Sequence, residues 1–159
     1  MIQTDEFDVL LMIRPHGWSD FFLLVNYERF EYSISHVFSS PFFDIINVLS
    51  DLIKQQKETS FIWYGEPGGV KFELQRIISE QNKIVVSVHE FRESHGYEPK
   101  YDSVIEFEIK IKQLVTVLYC QLKKNFMLLN DRQFANNRDG YDLKDFHNFE
   151  KSIIEFLNR

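Results

Sequence analysis

Residues 61–74 read FIWYGEPGGVKFEL: an aromatic run, a glycine-rich turn and an alternating stretch. The segment after the turn, VKFEL, has the two-residue period of a β-strand. A phosphate-binding loop would need the backbone amides of a following helix instead. Glu66-Pro67-Gly68-Gly69 fits a type II turn, because proline presets φ near about −65° and Gly68 accepts a positive φ. The stretch therefore predicts a β-hairpin.

The same alternation continues on both sides of this hairpin. Residues 7–13, 21–28 and 29–35 alternate apolar and polar side chains, which predicts a three-stranded antiparallel meander. Residues 82–91 and 103–112 predict two further strands. Together these runs indicate an antiparallel sheet of about six to seven strands.

Three segments have a helical period instead. Residues 39–58 carry an apolar stripe at helical spacing, with Ser40 as N-cap and Pro41 at the first helical position. A second stripe runs from Gln113 to Leu129, and a last helix begins at Leu143 or Asp145. Runs of strands followed by helices predict an α+β fold, with the sheet covered by two or three helices. No linker or repeat interrupts residues 1–159, so a single domain is expected.

Composition limits the class of protein. The 159 residues are 44% hydrophobic with few prolines and glycines, as in globular proteins. The single Cys120 excludes an internal disulfide, and its apolar neighbours on a predicted helix suggest a buried, inert thiol. The N-terminus lacks the basic residues of a signal peptide, and no segment approaches the about 20 apolar residues that cross a bilayer. A cytoplasmic protein without a membrane partner is expected.

The charge is unevenly distributed. The net charge is −6, and residues 1–80 hold 12 acidic and 6 basic side chains. An acidic half repels phosphate backbones and raises the association rate with basic partners. Nucleic-acid binding is therefore disfavoured. The same charge distribution is expected if the acidic residues only keep the protein soluble and bind no partner.

Candidate catalytic residues are few. Glu66 would serve as a general acid only with a second carboxylate of different pKa across the sheet, such as Glu73. Strand-edge glutamates are more often solvated or paired with a base such as Lys71 or Arg76. No Ser-His-Asp or Cys-His spacing is recognisable. We therefore expect no catalytic residue and no cofactor.

The segment HEFRESH, from His89 to His95, holds two histidines and two glutamates. Imidazole and carboxylate groups are zinc ligands. However, the two histidines do not have the helical i,i+4 spacing, and no third ligand follows at a motif distance. A solvated strand end without a metal is therefore expected.

Alternation also predicts which glutamates face outward. Glu31 lies opposite the apolar face of its strand with Glu28 close by, and Glu73 lies opposite the apolar face of the strand after the turn. Such an open antiparallel face is either solvated surface or a docking surface for a basic protein. Glu28, Glu31, Glu66 and Glu73 are therefore the candidate partner-binding residues.

Two stretches, FIWYGEPGGVKFELQR and NKIVVSVHEF, resemble a family of small bacterial proteins. In that family an aromatic strand leads into Glu-Pro-Gly, a second strand ends in arginine, and Gly-Tyr precedes a terminal helix, as do Gly140-Tyr141 here. The family resembles immunity proteins, which neutralise toxins exchanged between bacteria. The resemblance implies a cytoplasmic, non-catalytic partner protein. It also implies that Glu66, Pro67, Gly68 and Arg76 are structural, with Glu66 and Arg76 as a candidate ion pair.

The sequence thus predicts a non-enzymatic protein-binding module that occludes the active site of a basic toxin such as a nuclease. Two alternatives stay open. A small-ligand-binding or hydrolytic domain would place at least two of Glu66, His89 and Glu90 in one deep cavity. A structural subunit of an assembly would expose an apolar patch, for example on the terminal helix.

Overall fold

The computed structural model describes residues 1–93 and 99–159, and in these ranges eight strands and four helices form an α+β fold. The strands are β1 (Ile2–Gln3), β2 (Phe7–Arg14), β3 (Trp18–Val25), β4 (Glu28–Ser35), β5 (Glu58–Tyr64), β6 (Gly69–Arg76), β7 (Lys83–Phe91) and β8 (Asp102–Lys110). The helices are α1 (Pro41–Ile53), α2 (Ile111–Leu129), α3 (Arg132–Ala135) and α4 (Phe146–Leu157). The predicted fold class is confirmed.

Strands β2, β3 and β4 form an antiparallel meander, here called the small sheet. Asn26 and Tyr27 join β3 to β4 with φ of 49° and 71°, the left-handed pair that a type I′ hairpin turn requires. Alternation along β4 then turns Phe30, Tyr32 and Ile34 inward, and Ile34 is only 1% exposed. The predicted meander and its inward face are confirmed.

The other five strands form the large sheet, in the order β1-β8-β7-β6-β5. Its neighbours are antiparallel, except that β1 runs parallel to β8. The sequence predicts one sheet, whereas the described strands divide into two. Helix α1 connects β4 to β5 and packs against β5, and these two strands do not pair. Period-two alternation specifies the buried face of a strand but not the neighbour with which it pairs.

An aromatic cluster joins the inner faces of the two sheets. The Phe21 ring of β3 lies 4.9 Å from the Trp63 ring of β5 and 5.8 Å from the Phe72 ring of β6. Trp63 is fully buried, and its Nε1 donates to Oδ2 of Asp44 in the first turn of α1 over 2.9 Å. The apolar part of the indole therefore packs between the two sheets, while its N–H group holds α1 in place.

Side chains of α2 and of the following loop cover the outer edge of β2. Gln121 Oε1 accepts from the Leu11 N–H over 3.1 Å, and Asn125 Nδ2 donates to the Leu11 carbonyl over 3.0 Å. Arg138 Nε donates to the Ile13 carbonyl over 2.8 Å. An edge strand exposes backbone groups that can pair with other chains, and these bonds satisfy them within the fold.

The turn between β5 and β6 differs from the predicted type II turn. Gly68 has the expected positive φ of 80°, but the Glu66–Pro67 peptide bond is cis. A type II turn with proline at its second position has a trans bond, whereas cis proline belongs to type VI turns. The Gly65 N–H donates to the Gly68 carbonyl over 2.9 Å and closes the loop. The hairpin itself is confirmed.

Arg76 does not pair with Glu66, contrary to the ion pair that the resemblance implied. Arg76 ends β6, at the opposite end of the hairpin from the turn that holds Glu66. Its guanidinium donates to three backbone carbonyls, those of Leu52, Gln56 and Gln81. Arg76 therefore anchors the end of α1 and two loops through backbone carbonyls instead of the Glu66 carboxylate.

The helices begin close to their predicted positions. Ser40 has the extended backbone of an N-cap before α1, but its side chain makes no capping bond. Helix α2 starts at Ile111, two residues before the predicted Gln113, and the short α3 lies in a predicted loop. Of the helices in the described ranges, none combines the length and apolarity that a membrane crossing requires.

Candidate functional site

A cleft of about 340 Å³ opens between β4 and the adjoining ends of β6, β7 and β8. Carboxylates on its wall come from Glu31, Glu90 and Asp102, and Arg92 supplies its basic side chain. The β5–β6 turn closes one side through Gly65 and Pro67. We call this feature the acidic cleft. Its charge suits a cationic ligand or protein surface.

A hydrogen bond between the two sheets fixes the position of one cleft carboxylate. The Tyr32 hydroxyl of β4 donates to Glu90 Oε1 of β7 over 2.9 Å. Burial, reinforced by this bond and by the Glu90 charge, raises the pKa of Tyr32 far above its usual value. Tyr32 therefore stays protonated and acts as a donor, not as a general base.

A second, more open recess of about 660 Å³ adjoins the acidic cleft and shares Ser33, Gly65 and Pro67 with it. Glu66 lines this recess and accepts a hydrogen bond from the Ser35 hydroxyl over 3.3 Å. Arg14 also lines the recess, and its guanidinium pairs with Asp20 at 3.2 Å. Glu66 is thus held beside β4, at the margin of the acidic cleft.

The four candidate partner-binding residues do not form one surface. Glu31 lines the acidic cleft, Glu66 lines the adjoining recess, and Glu28 is exposed at the start of β4. Glu73 projects from the face of β6 that points away from the core and lies 2.5 Å from Lys71 Nζ. The Lys71 hydrogen bond lowers the pKa of Glu73. Glu73 is thus a paired anion that does not belong to the cleft lining.

The three residues of the hydrolytic alternative are separated. Glu66 lines the recess and Glu90 the acidic cleft. His89 lies on the opposite face of β7 from Glu90, with Nε2 3.1 Å from Glu73 Oε2. Within residues 1–93 and 99–159, no three His, Cys, Asp or Glu side chains gather to hold a metal ion. His95, which belonged to the weighed metal segment, lies outside the described residues.

Sequence reasoning missed a serine–histidine pair in the small sheet. Ser19 Oγ and His36 Nε2 are 2.7 Å apart, a distance typical of a nucleophile and its base. Ser19 is only 1% exposed, however, and the Tyr141 ring packs edge-on against His36 with centroids 6.4 Å apart. A substrate does not reach such a hydroxyl, so the pair is structural. The β3–β4 register could have revealed this pair. Trp18 pairs with Ser35, so the residues next to them, Ser19 and His36, come close together at the end of the two strands.

The half-buried imidazole of His36 predicts a dependence of stability on pH. Burial lowers the pKa of His36. As pH falls through about 6.5, the unfolded chain takes up this proton before the folded chain does, so the free energy of unfolding decreases. Urea unfolding between pH 7 and 5 should show that His36→Gln loses part of the acid sensitivity of the wild type. His16→Asn, at an exposed turn position, should keep it; equal slopes for all three proteins would contradict the prediction.

The prediction for Cys120 was wrong, because the thiol is exposed. Leu118 and Leu122 are buried on α2, and Cys120 lies halfway between them, about 200° around the helix from each. The apolar neighbours in the sequence thus lie on the other side of the helix.

Comparisons with known families, with characterised proteins and with solved structures found no match for the sequence or the fold.

Proposed function

We propose that the chain is a non-enzymatic protein-binding module, an immunity protein that neutralises a basic bacterial toxin such as a nuclease. The acidic cleft is its docking surface. The observation that carries this proposal is the concentration of Glu31, Glu90 and Asp102 around one cleft, with Glu66 at its margin. A nuclease binds phosphates with lysine and arginine, so its active site is complementary in charge to this cleft.

The chemistry of the cleft supports binding more than catalysis. The Tyr32 hydroxyl donates a hydrogen bond to Glu90, and the Ser35 hydroxyl donates one to Glu66. Neither of these two carboxylates spends its hydrogen bond on a cationic side chain of the same chain, whereas Glu31 pairs with Arg29 over 3.2 Å in an exposed ion pair that water screens. Occlusion of a toxin requires only such a fixed, complementary surface. Most of the electrostatic gain appears as faster association, which falls as salt rises.

The proposal predicts that the charge near the cleft governs binding. A variant with Glu28, Glu31 and Glu66 all changed to Gln should bind the toxin about tenfold more weakly, mostly through slower association. Glu73→Gln should bind as the wild type does, since Glu73 lies on the other face of the large sheet, outside the cleft lining. The measurement is a pull-down from cells of the source bacterium at low and physiological salt, followed by binding kinetics with the captured basic protein.

The matched control changes Asp5, Asp139 and Glu155, three exposed carboxylates outside the cleft lining, to Asn, Asn and Gln. This variant loses the same net charge. If it weakens binding as much as the cleft variant does, the location of the charge does not matter and the cleft is not the docking surface. A captured partner that is acidic, or binding that is insensitive to salt, would also contradict the proposal.

A second candidate function, a structural subunit of an assembly, is favoured by one observation. Leu10, Met12 and Leu24 are 40%, 47% and 42% exposed on the outer face of the small sheet, where Leu10 pairs with Phe22. This apolar patch lies on β2 and β3 instead of the terminal helix. Sedimentation at increasing protein concentration tests it: association abolished by Leu10→Lys would support an assembly, and a monomer throughout would count against it.

A further inference from the structure

The outer edge of β4 has free backbone groups. Val25 and Glu28 flank the two-residue turn, so they form a hydrogen-bonded pair. Hydrogen-bonded and non-bonded pairs alternate along an antiparallel ladder. The N–H and C=O groups of Arg29, Glu31 and Ser33 therefore point away from β3, and all three residues are exposed.

The two edges of the small sheet differ in whether their outward backbone groups have hydrogen-bond partners. On β2, side chains of Gln121, Asn125 and Arg138 bond the outward backbone groups. On β4, no described residue bonds the outward N–H or C=O groups of Arg29, Glu31 or Ser33. An open edge of this kind is a template for an added strand.

The charged side chains around this edge indicate which kind of segment would pair with it. Glu31 and Ser33 belong both to the edge and to the acidic cleft, and Glu90 and Asp102 line the same cleft. We propose that β4 pairs with an extended, lysine- or arginine-bearing segment of the partner protein, which becomes a fourth strand of the small sheet. This inference rests on the proposed function and specifies how the partner is held.

The β5–β6 turn limits the size of the occupant. A Cβ atom on Gly65 would lie 3.3 Å from the Ser33 carbonyl oxygen, so the turn approaches β4 closely at this end of the edge. An extended segment beside β4 would therefore end at the Ser33 N–H, where the turn begins, whereas a second folded copy would bring another acidic cleft to the same place. Main-chain hydrogen bonds supply the affinity, and the cleft carboxylates select basic side chains.

Proline substitutions test the edge directly. Ser33→Pro and Arg29→Pro each remove one outward N–H but leave the bonds to β3, which use the other residues of β4. Ser33→Ala and Arg29→Ala are matched controls that lose the same side chain and keep the N–H. The probe is a synthetic peptide of about eight residues that alternates Lys and Val, and a peptide with Glu in place of Lys is its control.

The readout is amide hydrogen exchange at Arg29, Glu31 and Ser33, followed by NMR. With nine-tenths of the protein bound by the lysine peptide, exchange at these amides should slow about tenfold. Ser33→Ala should keep this protection at Arg29 and Glu31, and Ser33→Pro should lose it. The glutamate peptide should give none.

Three outcomes would overturn the inference: no protection of these amides by the lysine peptide, equal protection in the proline and alanine variants, or protection that rises with protein concentration in the absence of peptide. The last would assign the edge to a second copy of the chain. None of these outcomes bears on whether a basic toxin binds the cleft through side chains, which the pull-down measures separately.

Discussion

The Gly69→Ala variant is expected to lose about 3 kcal/mol or more of its free energy of unfolding. Gly69 pairs with Tyr64 on one side and Phe91 on the other, at the start of β6. An added Cβ would clash with the Trp63 carbonyl oxygen and lie 2.5 Å from the Phe91 ring. One clashing atom belongs to the backbone of the fully buried Trp63, so the contact is not relieved by a side-chain rotation.

Urea unfolding at neutral pH measures this loss. Gly140→Ala is the control, because Gly140 lies in a loop with a positive φ of 86°, where an added Cβ would meet nothing within 4 Å. Only backbone strain of about 1 kcal/mol is expected there. Equal stability of Gly69→Ala and wild type would show that β5 and β7 do not approach β6 as closely as described.

The Asn125→Asp variant is expected to lose about 3 kcal/mol of its free energy of unfolding. Asn125 is 1% exposed, and its Nδ2 donates to the carbonyls of Leu11 and Gln121 over 3.0 and 2.9 Å. A carboxylate would place a buried charge against two carbonyl oxygens. Asn125→Leu should cost less, about 1–3 kcal/mol, since it leaves the Leu11 carbonyl without a partner but introduces no charge.

Asn130 provides the matched comparison. Its Nδ2 also donates to the carbonyl four residues earlier, that of Phe126, but in an exposed setting. Asn130→Asp should therefore change the free energy of unfolding by less than about 1 kcal/mol. If the Asp variants at positions 125 and 130 unfold at the same urea concentration, the helix α2 does not cover the edge of β2 through Asn125.

Much of the fold could be predicted because its signals are local. Alternation in β4 and β6 identifies the buried faces, and Ser40-Pro41 marks the start of α1 within one residue. Strand pairing is not local: nothing in the sequence shows that β4 and β5 belong to different sheets. The two-residue strand β1 is too short to show any period, and its partner β8 is about a hundred residues away.

The candidate site could be predicted only in part for the same reason. Alternation correctly turns Glu31 outward, but the cleft also needs Glu90 and Asp102, which the large sheet brings from distant parts of the chain. Glu73 satisfies the same local rule and lies on another face. Asn125 appears in the sequence as a polar interruption of an apolar stripe, and its role depends on the position of Leu11.

The central claim, that the protein neutralises a basic toxin by occluding its active site, is tested most directly by an inhibition titration. The nuclease captured in the pull-down is assayed for nucleic-acid cleavage while the protein is added at physiological salt. The account predicts that activity falls to zero near one equivalent of wild-type protein and that the Glu28, Glu31 and Glu66 variant needs a clear excess. Full cleavage activity in the presence of saturating bound protein would contradict it, because binding would then leave the active site open.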